Sequence, residues 1–174
     1  QTFYKDIYDL QPGQSKTFSS NGGNSNYYWD LPTHTDKVDK GENYYLEVVG
    51  SALETAVKRQ LMSDVPVGAF ISGGLDSSTL LYYMNSISPH IKSYITGFEV
   101  PGYNEFYFAD LMAEHLGITP RKLVIDPEEY AGMINKVIGY RAEPVSIPHE
   151  AAFLKMSRFM KNEITVVLSG EGAD

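Results

Sequence analysis

Apolar residues recur along this chain with two different periods. Between Glu42 and Met62 they fall at Leu46, Val49, Leu53, Ala56, Val57 and Leu61 with the charges elsewhere, a helical spacing. Beyond it, helical and extended patterns alternate. Val67–Ile71 is a short continuous apolar run, the mark of a strand buried on both faces of a parallel sheet. Ser77–Asn85 reads as helix and Lys92–Phe98 as strand. Glu105–Leu116 is a helix closed by Gly117, where a left-handed residue is wanted. Arg121–Ile125 is extended, and Pro127–Ile138 is helical with proline at its start. Glu150–Lys161 is a helix, and Ile164–Leu168 is the last strand. Four strands alternating with helices predict an α/β domain around a parallel sheet with flanking helices.

The first 32 residues follow another pattern. Phe3–Leu10 is aromatic-rich, Gln11-Pro12-Gly13 makes a turn, and Lys16–Ser19 can pair back. A second turn signal, Asn21-Gly22-Gly23-Asn24, precedes Tyr27-Tyr28-Trp29. The expectation is a short β meander, too small to fold alone. Residues 33–43 form a polar linker, and the main domain runs over 44–174. The 174 residues, 43% hydrophobic and 13% aromatic, are ample for a core and exclude general disorder.

The charge balance narrows the partners. With 14 basic and 22 acidic residues the chain carries −8, which argues against bulk nucleic-acid binding. The absence of cysteine removes disulfides, thiolate zinc sites and any cysteine nucleophile. No run of about 18 apolar residues suggests a membrane span, so a cytoplasmic location is the default.

Two loops carry the candidate chemistry. Ser72-Gly73-Gly74-Leu75-Asp76-Ser77-Ser78 follows the strand ending at Ile71 and opens the next helix. Glycines let the backbone approach a bulky anion, and successive N–H groups at a helix start hold phosphate oxygens. The loop lacks the lysine of a Walker A motif and offers Asp76 instead. A carboxylate beside polyphosphate is repulsive unless a cation lies between, so Asp76 suggests Mg²⁺. The plain alternative is a glycine turn capped by Ser and Asp. Strand, glycine pair, acid and hydroxyls in succession favour the anion site. Ser169-Gly170-Glu171-Gly172-Ala173-Asp174 again follows a strand directly. If the first and fourth strands of the domain are neighbours, both loops face one crevice.

With SDVPVG over residues 63–68, SGGLDSS over 72–78 and VVLSGEGAD over 166–174, the chain resembles the synthetase domain of glutamine-dependent asparagine synthetases. The SGGLDS element belongs to the wider ATP pyrophosphatase group, and the flanking motifs narrow it to asparagine synthetases and their β-lactam-forming relatives. The resemblance runs from about Tyr44 to Asp174. It implies an adenine nucleotide alpha hydrolase-like fold, present in part, with residues 1–32 as the tail of a glutaminase-like domain.

The resemblance further implies that Mg·ATP activates a carboxylate, aspartate in the family, as an acyl adenylate with release of pyrophosphate. Ammonia then displaces AMP. By motif position Ser72, Gly73, Gly74, Asp76 and Ser77 would hold the pyrophosphate. Phe70 and Thr96 would line the adenine site, although Phe70 stands where leucine is common. Ser169 and Gly170 would contact the nucleotide, and Asp76 and Asp174 would bind Mg²⁺. Glu171 matches a glutamate that aids ammonia attack; the β-lactam-forming relatives are expected to carry tyrosine there. The family's glutaminase uses an N-terminal cysteine, so ammonia from glutamine would need a further domain. The chain then reads as an internal slice of a longer enzyme, with room for a homodimer. The rival readings are a nucleotide-binding module without turnover, or a relative that amidates another carboxylate.

Other signals carry less. His34, His90, His115 and His149 are scattered without ligand spacing and read as surface or packing residues. Neither serine loop fits G-x-S-x-G, since Phe70 and Val167 hold the first glycine position. Glu143, before Pro144, either approaches the substrate or serves a turn. Glu99, Pro101 and Gly102 are expected in a loop at the ligand end of the sheet.

Overall fold

A computed structural model describes residues 2–33, 38–100, 102, 104–145, 147 and 149–172. The chain divides into two compact units, Gln1–Glu42 and Asn43–Asp174.

In the first unit, strands β1 (Gln14–Ser19) and β2 (Gly22–Tyr27) form an antiparallel hairpin with Gln14 opposite Tyr27 and Ser19 opposite Gly22. The expected meander is therefore a single hairpin, and Lys16–Ser19 pairs forward rather than back onto Phe3–Leu10. The reason lies in the local bonds. The Gln11–Gly13 turn is closed by Gln14 N donating to Gln11 O at 3.0 Å, and Tyr28 N donates to Gly13 O at 2.9 Å. Those bonds commit β1 to the segment after it. Phe3–Leu10 instead makes local turns, with the Thr2 hydroxyl donating to Ile7 O at 2.8 Å.

The second unit is the α/β domain that the alternation predicts. Its helices are α1 (Glu42–Gln60), α2 (Leu75–Ile87), α3 (Phe106–Leu116), α4 (Pro127–Arg141) and α5 (Glu150–Met160). Its strands are β3 (Val67–Phe70), β4 (Lys92–Gly97), β5 (Arg121–Val124) and β6 (Val166–Leu168). They pair in the order β5-β4-β3-β6, all parallel.

The period-two alternation of the strands sorts side chains to two layers. Ala69, Ile71 and Ile95 face one side, packing with Val57, Leu81, Met84 and Ala109 from α1, α2 and α3. Tyr94 and Phe70 face the other, against Met156, Met160 and Ile164. A third cluster, Met133, Val137 and Ala151, joins α4 to α5. Fully burying one aliphatic side chain of this size stabilises by about 1.5–3 kcal/mol, so the sheet is held from both faces.

Helix ends follow local chemistry. The Asp126 carboxylate accepts from the N–H groups of Glu128 and Glu129 at 2.8 and 3.2 Å, with Pro127 in the first turn of α4. This helix runs to Arg141, past the expected end at Ile138, and Ala142 caps it in a left-handed conformation (φ 55°). Strand β6 starts at Val166 rather than Ile164, because Glu163 N and Ile164 N both bond Met160 O as α5 unwinds. Ile164 is buried all the same.

One ionic cluster pins the amino ends of the strands. Glu163 pairs with Arg121, lies 3.5 Å from Lys92 Nζ, and accepts from the Tyr94 hydroxyl at 3.3 Å. Burial, and then the Glu163 carboxylate, hold the Tyr94 hydroxyl above its ordinary pKa.

Candidate functional site

The loop between β3 and α2 is built by its own side chains. Ser72 Oγ accepts from Gly74 N at 3.2 Å, and Ser77 Oγ accepts from Ser72 N at 3.2 Å. The two hydroxyls lie 2.8 Å apart, and Ser77 Oγ donates to Gly74 O at 3.3 Å. Gly73 turns the chain at φ 80°, where a Cβ would stand 2.4 Å from Phe108 Cβ on α3. Only glycine fits both the conformation and the contact.

Helix α2 begins at Gly74 with no side-chain cap. Its first internal bond is Ser78 N to Gly74 O, so the N–H groups of Leu75, Asp76 and Ser77 have no acceptor within the helix. Among the described residues these three donors have no partner, and at the positive end of a helix dipole they form an anion cradle.

The second loop comes from the neighbouring strand. Ala69 of β3 is level with Leu168 of β6, so the residues after each emerge side by side. The chain runs from β3 outward to β4 and β5 and then returns to the opposite side for β6. The boundary between β3 and β6 is therefore the switch point of the sheet, where open α/β folds place ligands. Gly170 sits against the start of α2, where a Cβ would be 2.8 Å from Ser77 N.

Both loops line one cavity of about 370 Å³. Phe70, Ser72, Gly74, Asp76 and Ser77 face it from the first loop and its strand, and Thr96 from β4. Ser169, Gly170 and Glu171 face it from the second loop. Of the residues singled out in the sequence, Gly73 does not line the cavity but supports the loop from behind. Asp174 lies outside the described residues, as do His34 and Pro101. The Thr96 hydroxyl donates to Leu123 O at 3.0 Å, so the side chain also ties β4 to β5. Glu143 lies 3.8 Å from Arg141 at the end of α4 and does not line the cavity.

The structure adds residues that sequence reasoning passed over. Tyr94, Glu105, Phe153 and Met156 also line the wall. Phe153 of α5 stacks on Phe70 with ring centres 5.6 Å apart and planes 14° from parallel. One turn earlier, His149 meets the edge of Phe153 at 5.2 Å, and its Nε2 lies 3.9 Å from Glu171 Oε1. The available signal was the i, i+4 spacing of His149 and Phe153 at the start of a helix.

The charges in the wall are of one sign. Asp76, Glu105 and Glu171 line it, and no Lys or Arg does so among the described residues. Among the described residues no group of three or more Asp, Glu or His is placed to hold a metal ion. A Mg²⁺ that keeps most of its waters and takes phosphate oxygens would fit beside the Asp76 carboxylate at this wall. Asp76 is the side chain beside the anion cradle that would hold it. The open amides and the partly apolar wall fit a phosphorylated ligand with an aromatic base.

A family model for asparagine synthase matches residues 48–174. The chain belongs to the asparagine synthase family. This is a family of AMP-forming amide ligases, and the matched stretch lies in its ATP pyrophosphatase domain. Among curated relatives, asparagine synthetase [glutamine-hydrolyzing] 1 of Bacillus subtilis is 32% identical over 165 residues, covering 95% of this chain and 26% of the relative. Asparagine synthetase B of Escherichia coli is 33% identical over 186 residues, covering 94% of this chain and 32% of the relative. Amidase chyE of Penicillium rubens is 27% identical over 194 residues, covering 100% of this chain and 29% of the relative. The chain thus spans between a quarter and a third of the length of these relatives. Among solved structures, an NH3-dependent NAD synthetase from Campylobacter jejuni aligns with a TM-score of 0.46 and 15% identity, over 72% of this chain and 54% of that one. No described helix is long and apolar enough to cross a membrane.

Proposed function

We propose that this chain is the nucleotide-binding part of an ATP-dependent amide ligase that converts aspartate to asparagine. The observation that carries the reading is the pairing of two glycine loops at the sheet's switch point, with the open amides of α2 facing the same cavity as Glu171. In this reading Gly74 and the first turn of α2 hold phosphate oxygens, with Ser72 and Ser77 keeping the loop in shape. Phe70 and Thr96 flank the base, Ser169 and Gly170 meet the nucleotide, and Asp76, with Asp174, holds Mg²⁺. The metal supplies charge neutralisation between the acidic wall and the polyphosphate.

A carboxylate is a poor electrophile, and adenylation gives it a good leaving group. The acyl adenylate is then attacked by the nitrogen lone pair of ammonia. A C–N bond forms, the acyl C–O bond to phosphate breaks, and AMP departs with the electron pair. The nitrogen sheds one proton, which in this reading the Glu171 carboxylate accepts. Ammonia reaches the site from glutamine through a glutaminase-like partner domain, to which residues 1–32 belong, or from solution.

The test is aspartate-dependent exchange between ATP and pyrophosphate in the presence of Mg²⁺. Exchange is the expected result. Binding of Mg·ATP without exchange would favour a nucleotide-binding module, and absence of binding would overturn both. The family match does not name the acceptor, and one relative is named an amidase rather than an asparagine synthetase, so the second reading is a relative that amidates another carboxylate. Replacing aspartate by other carboxylates in the same exchange separates the two.

A further inference from the structure

Glu171 stands on an exposed loop, and a proton acceptor on such a loop needs something to hold it over the reacting carbon. Among the described residues no basic group other than His149 comes within ion-pair distance of it. The two side chains are about half-exposed, and at 3.9 Å they form an ion pair, not a hydrogen bond, when the imidazole is protonated.

His149 is itself fixed from below. It occupies the N-cap position of α5, and its ring meets Phe153 edge-on at 5.2 Å. Phe153 in turn stacks on Phe70, the last residue of β3. A continuous row of rings therefore runs from the central strand of the sheet to the cavity rim and ends on an imidazole facing Glu171. Arg141 at the end of α4 pairs instead with Glu150 in the first turn of α5, and also with Glu143 at 3.8 Å.

We infer that His149 is a positioning residue for Glu171, holding its carboxylate at the cavity rim during the amide-forming step. The inference rests on the functional reading above. It assigns His149 no part in binding ATP or forming the adenylate, because His149 does not line the cavity. Its effect belongs to the second half-reaction alone.

The experiment measures two rates in the full chain with Mg·ATP and aspartate: pyrophosphate exchange, and asparagine formed from ammonium. His149→Ala lowers the ratio of asparagine formation to exchange by about two- to fivefold, the size expected for an exposed ion pair. His149→Lys, which keeps a positive charge at similar reach, restores most of that ratio. A ratio equal to wild type in His149→Ala, or no recovery in His149→Lys, overturns the inference. A second readout is independent of turnover. The imidazole NMR resonances of His149 shift on Glu171→Gln, while those of His90 and His115 stay in place. Unmoved His149 resonances overturn the inference even if the enzyme is active. Absence of exchange in the wild-type chain would instead sink the functional reading, and the imidazole resonances would still decide the contact.

Discussion

Gly170 lies against Ser77 so closely that a Cβ on the glycine would stand 2.8 Å from the serine's backbone nitrogen. The two residues are far apart in sequence and follow neighbouring parallel strands, Ser77 in the first turn of α2 and Gly170 in the loop after β6. Their contact sets the distance between the two loops of the site.

Gly170→Ala forces the loops apart, because the atoms it meets are backbone. Overpacking of this kind costs about 1–3 kcal/mol. The expected outcome is a lower midpoint in thermal unfolding together with weakened Mg·ATP binding by calorimetry. A variant with wild-type affinity would show that the spacing of the loops does not govern the site.

Asp76→Asn removes the carboxylate beside the helix start and leaves the loop's internal hydrogen bonds untouched. Affinity for Mg·ATP falls by about ten- to a hundredfold, the range of a lost charge-assisted contact. Affinity for AMP measured without metal changes far less. Calorimetric titrations with and without Mg²⁺ compare the two.

Phe153→Ala opens the aromatic wall. The stack with Phe70 and the half-buried ring together stabilise by about 1–3 kcal/mol. Urea unfolding should show that loss. Phe153→Leu, which refills most of the volume, recovers most of it.

Tyr94→Phe tests the ionic cluster beneath the sheet. The folded-state pKa of Tyr94 is raised above the ordinary 10.0, so the hydroxyl stays protonated longer in the folded chain than in the unfolded one. Its contribution is therefore fully present below pH 10.0 and is lost as pH rises through the higher folded value. Wild type loses stability steeply above that point, and Tyr94→Phe loses it less steeply. At neutral pH the variant is weaker by about 1–3 kcal/mol, from one hydrogen bond to a carboxylate. Urea unfolding across the alkaline range reads both effects.

The sheet was legible because each strand is a short apolar run between strong helical patterns, and the glycine loops sit where those runs end. Val67–Phe70 and Val166–Leu168 needed only local reading, and so did their loops. What joins them is the strand order, which local sequence supports only as a condition. His149 and Phe153 escaped notice because their importance depends on which face of α5 meets β3. The hairpin was misread for a related reason. Two turn signals are visible in the first 32 residues, but which segment satisfies the donors of Lys16–Ser19 is decided by backbone bonds such as Tyr28 N to Gly13 O. Asp174 lies outside the described residues, and its part in the metal site rests on motif position alone.

The pairing of β3 with β6 has a consequence for the order of folding. Val67 is level with Val166, so the site closes only when segments about a hundred residues apart find each other, a slow and entropically costly event. During synthesis the first loop waits while β4, β5 and helices α2 to α5 emerge. A ligand that touches both loops would bind only the finished sheet, and by mass action would hold β6 in place as a non-covalent clasp. Nucleotide occupancy would then report, and reinforce, completion of the fold itself.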